Sequence, residues 1–193
     1  MPTSPRKIPE QRRQDLVLAA FELLAEKGFE GLRTRDVAAR AGVNIATLHY
    51  YFPTKEALIG GVVEHVMTRF RSTLEPHGSP DRQLRNHLRA VRRLMREEPE
   101  VATVMGELAL RSARDPAIAA LVRSTQDTWH QIVRGLLRRA AREGYVRAEL
   151  DSDAAAAMVL TTLTAMTLPF QAAPRNELAL RQLERYLGLQ SIS

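Results

Sequence analysis

With 193 residues, 45% of them hydrophobic, and no cysteine, the chain can bury a core in one or two compact units, and it excludes disulfide frameworks, thiolate metal sites and cysteine nucleophiles. The lack of cysteine fits a reducing cytosol. A formal net charge of +6 and a pI near 10.3 bias the chain toward polyanions, yet residues 1–60 hold nine Lys/Arg against seven Asp/Glu, so most of the excess lies further on. The first ten residues, Met-Pro-Thr-Ser-Pro-Arg-Lys-Ile-Pro-Glu, have no apolar stretch for export and read as a mobile basic arm.

Leu16, Val17, Ala20, Phe21, Leu23 and Leu24 recur with the helical period and predict a first helix, stopped by Gly28 with Phe29 folding back on it. Thr34 is placed to cap a second helix carrying Val37, Ala38 and Ala41, with Asp36 complementing its positive end. Gly42 supplies the positive φ of a sharp turn, and Asn44 caps a third helix. In that helix Leu48 and Phe52 point inward, which leaves Ala46, Thr47, His49 and Tyr50 on the opposite arc. Tyr50, Tyr51 and Phe52 cannot all face one core, because neighbours on a helix diverge by about 100°. Two short helices hinged at a glycine, the second with a small, polar and aromatic outer arc, form a helix-turn-helix suited to a DNA groove.

Pro53-Thr54-Lys55-Glu56 then starts a fourth helix, striped by Leu58/Ile59, Val62/Val63, Val66/Met67 and Phe70 and ended by the Pro76–Pro80 break. Asp81 opens a fifth that ends before Pro99. There Arg82, Arg85, Arg89, Arg92, Arg93 and Arg96 recur opposite Leu84, Leu88, Val91 and Met95, and read as a solvated outer face, with a second nucleic-acid surface as the alternative. Val101, Val104, Met105 and Leu108 mark a sixth helix ending near Arg114. Asp115-Pro116 starts a long seventh, with Ile118, Leu121, Val122, Trp129, Ile132, Val133, Leu136 and Leu137, closed by Gly144. Asp151 or Ser152 caps an eighth to about Leu168, and Asn176 caps a ninth with Leu180, Leu183 and Leu187. No charge occurs from Ala154 to Pro174, but four threonines, a proline and many alanines argue for a buried helix at a subunit contact rather than a membrane span. No alternating stretch predicts a strand. The expectation is an all-α chain of about nine helices, with residues 1–53 as the arm and helix-turn-helix domain and 54–193 as a helical bundle for ligand binding and dimerisation.

The segments Ala20-Phe21-Glu22-Leu23-Leu24, Lys27-Gly28-Phe29, Thr34-Arg35-Asp36-Val37-Ala38, Ala41-Gly42-Val43 and Tyr50-Tyr51-Phe52-Pro53-Thr54-Lys55-Glu56-Ala57-Leu58 resemble the DNA-binding domain of TetR-family transcriptional regulators. The resemblance covers about the first third of the chain. It implies that Thr34, Tyr50 and Lys55 meet phosphates and that Arg35, Ile45, Ala46, Thr47 and His49 lie near base edges, with Asn44 opening the reading helix. Physical chemistry agrees: a lysine suits phosphate, Arg35 can bind guanine bidentately, and Ile45, Ala46 and the Thr47 methyl suit thymine methyls. His49 stands where the family commonly has tyrosine, Asn44 where serine is common, and Ile45 is apolar where relatives are often polar.

The resemblance also implies an effector cavity in the C-terminal bundle, for which Phe70, Met105, Leu108, Trp129, Met158, Met166 and Phe170 are the candidates. Few charges accompany them, so a small, largely apolar effector is expected. Helices eight and nine, with Ala155, Thr162 and Leu183, are the expected homodimer contact. The expected partners are an inverted-repeat DNA operator, that effector and a second copy of the chain, with no membrane, metal or cofactor, in the cytoplasm. The five histidines form no close metal pair, and no glycine-rich phosphate loop precedes a helix, so an enzyme is not expected. The function expected is that of a repressor released by its ligand; the alternative is a ligand-independent or corepressor-dependent DNA binder whose bundle serves only dimerisation.

Overall fold

The computed structural model describes residues 9–75, 77–168 and 173–189. Among these, nine helices and no strand occur: α1 (Pro9–Gly31), α2 (Thr34–Arg40), α3 (Ile45–Tyr51), α4 (Lys55–Arg71), α5 (Pro80–Glu97), α6 (Pro99–Ser112), α7 (Pro116–Arg142), α8 (Ser152–Ala165) and α9 (Ala173–Tyr186). Phe170 lies outside the described residues, as does the N-terminal arm through residue 8. The fold is all-α, as the periodicity predicts.

Helix α1 is the shared wall. Leu16, Val17, Ala20 and Leu24 are buried along it, and it packs on α2, α4 and α6. Helix α7 is the second spine, packed on α4, α5, α6 and α8, while α9 rests on α8. Asp115 starts α7 as expected, its carboxylate accepting from the Ala117 and Ile118 amides at 3.1 and 3.2 Å, and Asp151 does the same for α8. Each such cap satisfies amides that the first turn of a helix leaves without partners.

Three local expectations are corrected. Thr34 is the first residue inside α2, not its cap; Arg33 holds that place with an extended backbone and no side-chain bond. Asn176 lies within α9, which begins at Ala173 and puts Pro174 in its first turn, where the missing N–H does no harm. Helix α8 ends at Ala165, because the Thr167 and Leu168 amides bond back three residues, to Thr164 and Ala165, and tighten the chain out of the α-helix.

The core holds one polar chain that crosses three helical segments. His87 of α5 is fully buried, and its Nε2 accepts from the Trp129 indole N–H of α7 at 2.9 Å. Its Nδ1 lies 2.7 Å from the Thr73 hydroxyl, which itself donates to the Phe70 carbonyl at 2.6 Å. With that proton committed, Thr73 can only accept, so Nδ1 carries the imidazole hydrogen and the ring is neutral. Burial pushes His87 down to about 4. The unfolded chain therefore takes up a proton between pH 6.5 and 4 that the folded chain refuses, and stability held above pH 6.5 falls by up to about 3 kcal/mol as pH drops through that window. His87→Phe should remove this part of the slope. Denaturant melts at half-unit pH steps from 7 to 4, compared between parent and variant, measure it; parallel slopes would contradict the assignment.

Candidate nucleic-acid interface and effector cavity

The turn between α2 and α3 is built by local bonds. Gly42 adopts φ of 67°, and the Val43 amide reaches back to the Ala38 carbonyl at 2.9 Å, closing α2 with a left-handed glycine just beyond its end. Asn44 then opens α3, its Oδ1 accepting from the Thr47 amide at 2.8 Å and from the Thr47 hydroxyl at 2.9 Å. Leu48 and Phe52 are buried. Their burial anchors α3 to the unit and turns the other face outward.

On that outer face Ile45, Ala46, His49 and Tyr50 are exposed, and Thr47 is half-buried. Tyr50 is 80% exposed and meets Tyr51 edge-to-face at 5.1 Å, so the aromatic run splits as helix geometry requires, with Tyr50 out and Phe52 in. Thr34 is half-buried at the start of α2; Arg35 beside it is exposed and pairs with no described residue. Arg40, by contrast, is committed to Glu26 through two bonds of 2.7 Å. Thr47 keeps its methyl for an apolar contact, while its hydroxyl proton is spent on Asn44.

Lys55 has a different setting from the rest. It is half-buried at the start of α4, with its ammonium 4.5 Å from the Phe29 ring centroid and 3.4 Å from the Phe29 carbonyl. Burial, with the like charge of Arg111 nearby, pushes its pKa down. Arg111 of α6 lies over the same ring at 4.6 Å and pairs with Glu30 at 3.0 Å, and Glu107 of α6 accepts the Phe29 amide at 3.0 Å. The end of α1 is thus held between α4 and α6. Sequence reasoning missed Glu107 and Arg111, although a glutamate in the middle of the otherwise apolar stretch Val101–Leu110 was a visible signal.

Of the expected cavity residues, Phe70, Met105 and Trp129 do line one internal cavity, together with Val122, Gln126 and Leu163. Its volume is about 40 Å³, room for little more than a water molecule. The Phe70 and Trp129 rings meet with centroids 4.9 Å apart, tilted by 35°. Leu108 is fully buried but does not border the cavity. Met158 is corrected from inward to outward, being 44% exposed on α8. Met166 instead borders a larger groove of about 500 Å³ between α5, α6, the end of α8 and the start of α9. Met95 and Thr167 line both spaces.

Ala155 is 2% and Leu183 4% exposed within the single chain, so neither offers area to a second copy; they are spent on packing inside the bundle. Thr162 is half-buried, its hydroxyl bonded to the Met158 carbonyl at 2.8 Å. The large exposed apolar side chains of α8 and α9 are Met158, Leu178 and Tyr186. Among the described residues no helix is long and apolar enough to cross a membrane, and no group of three metal-ligating side chains occurs.

A short hinged helix pair with an exposed reading face, joined to a larger helical bundle, defines a helix-turn-helix DNA-binding regulator. The family described as bacterial regulatory proteins, tetR family, matches residues 16–62, and the tetracyclin repressor-like C-terminal domain matches residues 74–185. The chain belongs to the TetR family of transcriptional regulators, a family of DNA-binding proteins rather than enzymes. It is 29% identical over 144 residues to the nucleoid occlusion factor SlmA of Pasteurella multocida, covering 72% of each chain. It is 33% identical over 99 residues to an HTH-type transcriptional repressor of Mycobacterium tuberculosis, covering 48% of this chain and 53% of that one. Among solved structures, a transcriptional regulator from Rhodococcus sp. Rha1 aligns with a TM-score of 0.72 at 26% identity, over 92% of this chain and 94% of that one. A TetR transcription regulator from Haloarcula marismortui aligns at 0.82 and 17% identity, over 92% and 97%, a likeness of fold.

The Asn44 cap gives a direct test of how α3 is held. Asn44→Ala should cost about 1 kcal/mol of stability, because the Thr47 amide loses its acceptor, and should weaken DNA binding by fraying the first turn of the reading helix. Thermal melts and binding titrations read both effects; a variant with unchanged melting would show that the cap contributes nothing.

Proposed function

We propose that this regulator is a homodimeric, cytoplasmic repressor that a small, largely apolar ligand releases from an inverted-repeat operator. Thr34, Tyr50 and Lys55 serve the phosphates, and Arg35, Ile45, Ala46, Thr47 and His49 the base edges. Each subunit presents one α3, and tight binding needs two of them about 34 Å apart to enter successive major grooves. A ligand that binds better to a subunit arrangement with another spacing lowers DNA affinity by that difference. The observation that carries this reading is the groove of about 500 Å³, within the size range of small-molecule sites, one of whose lining residues, Glu107, also holds the end of α1.

The second reading, a ligand-independent DNA binder with a solid bundle, is favoured by the small volume at Trp129. A screen of apolar compounds against operator DNA, with Trp129 emission followed in parallel, decides between them. Ligand release predicts compounds that change both signals over one concentration range. If no compound that binds the protein displaces DNA, the ligand-independent reading stands.

For assembly, the exposed apolar side chains on α8 and α9 are the proposed contact between copies. Leu178→Arg should yield a folded monomer that loses operator affinity, while Leu183→Arg should unfold the bundle, because Leu183 is buried within one chain. Sedimentation and circular dichroism separate the two; a dimeric Leu178→Arg protein would move the contact elsewhere.

A further inference from the structure

Glu107 belongs to two places at once. Its Oε2 accepts the Phe29 amide at 3.0 Å, and the same side chain lines the groove between α5 and α6. The approach is close: Gly28 just before Phe29 has φ of 67°, and a Cβ added there would lie 3.1 Å from Glu107 Oε2. The kink at Gly28 near the end of α1 is therefore shaped to receive this carboxylate, and only glycine adopts that backbone without strain.

Arg92 and Glu177 pair through two bonds, each neutralising the other. Arg96 is exposed and has no ion-pair partner among the described residues. Glu107 is half-buried, and its hydrogen bond is to one uncharged amide. Among the described residues Glu107 makes no ion pair, and a carboxylate with two oxygens can accept a cation as well as the Phe29 amide. Around it the walls are apolar: Met95, Ala102, Leu110, Met166 and Leu168. From Ala102 to Leu110 the groove follows α6 for about 12 Å.

We infer that this groove is a binding site for an amphipathic amine, whose ammonium pairs with Glu107 and whose apolar body lies along α6. The inference rests on the ligand-release reading for its consequence and on the groove alone for its chemistry. An ammonium that draws the Glu107 carboxylate toward the groove and away from the Phe29 amide loosens the hold of α6 on the end of α1. A carboxylic acid of the same size is repelled, and an alcohol lacks the charge.

Octylamine, octanol and octanoate, three heads on one chain, test this by calorimetry on the full-length protein. Octylamine should bind about tenfold or more tightly than either of the others, since a hydrogen bond to a charged group is roughly twice as strong as a neutral one. Glu107→Gln keeps an acceptor for the Phe29 amide, so it should fold, as circular dichroism checks, while losing the preference for the amine. Ala102→Phe, which fills the groove, should weaken all three probes. Equal affinities for the three heads, or a Glu107→Gln protein that still prefers octylamine, overturn the proposal. Octylamine that binds with this preference yet leaves DNA affinity unchanged upholds the site and overturns ligand release through it. DNA release by other compounds with full effect in Glu107→Gln and Ala102→Phe upholds ligand release and removes it from this groove.

Discussion

The placement of the DNA reader depends on how the last turn of α1 is held. Helix α1, with Leu16, Ala20 and Leu24 buried along it, packs on α2 of the helix-turn-helix, and at its end Phe29 enters a setting made by other helices. Lys55 from α4 and Arg111 from α6 lie over its ring, and Glu107 takes its amide. Two cations over one aromatic face a shared negative quadrupole, and each contact contributes about 0.5–1 kcal/mol or more as it is withdrawn from water. The like charges also oppose each other, which is one reason Lys55 holds its proton less tightly than an exposed lysine. A junction in which attraction and repulsion are both present is easier to shift than one of plain apolar packing. It is therefore a suitable place for the C-terminal bundle to act on the reader.

How much of this was legible in the sequence follows the range of the interactions. The α2–α3 turn rests on Gly42 and Asn44, whose bonds reach no further than five residues, and both roles could be read directly. The face of α5 was legible too: Leu84, Leu88 and Val91 define it, and His87 sits on the same arc. Its partners Trp129 and Thr73 were not, since they arrive from α7 and from the turn after α4, 42 and 14 residues away. Helix α8 is the instructive failure. Its sequence, Ser-Asp-Ala-Ala-Ala-Ala-Met-Val-Leu-Thr-Thr-Leu-Thr-Ala, is apolar or small nearly all round, so periodicity names no inward face. Met158 and Ala155 were accordingly assigned to each other's sides: the methionine is outside and the alanine inside.

The excess positive charge has a similar lesson. Six arginines on α5 draw the eye, yet Arg85 is paired with Asp81 and Arg92 with Glu177. Arg82, Arg89, Arg93 and Arg96 remain exposed, spaced so that they share an arc of about 60° on the helix. Nothing among the described residues opposes them, and the solvated outer face accounts for the pattern. In the helix-turn-helix, Arg33 and Arg35 are exposed without an ion-pair partner among the described residues, Arg40 is paired with Glu26, and Lys55 is turned to Phe29. On the proposed contacts, affinity for DNA draws on helix ends, Tyr50 and fitted apolar contacts as well as on charge.

That economy bears on how a ligand could control it. A single hydrogen bond to a charged group contributes about 1.5–3 kcal/mol, and its loss at the Phe29 amide changes the balance between two reader positions by roughly ten- to a hundredfold. A dimer contains the junction twice, and a palindromic operator is bound by both copies, so the two effects multiply. A ligand need not then rearrange the bundle or open the closed space around Trp129. It needs only to bind more tightly to subunits whose Glu107 is free of Phe29, and the difference in affinity per subunit sets the limit on release. The small internal cavity, which taken alone argues for a rigid bundle, is in this view what makes the control work: a well-packed core transmits a local change at α6 to α1 instead of absorbing it.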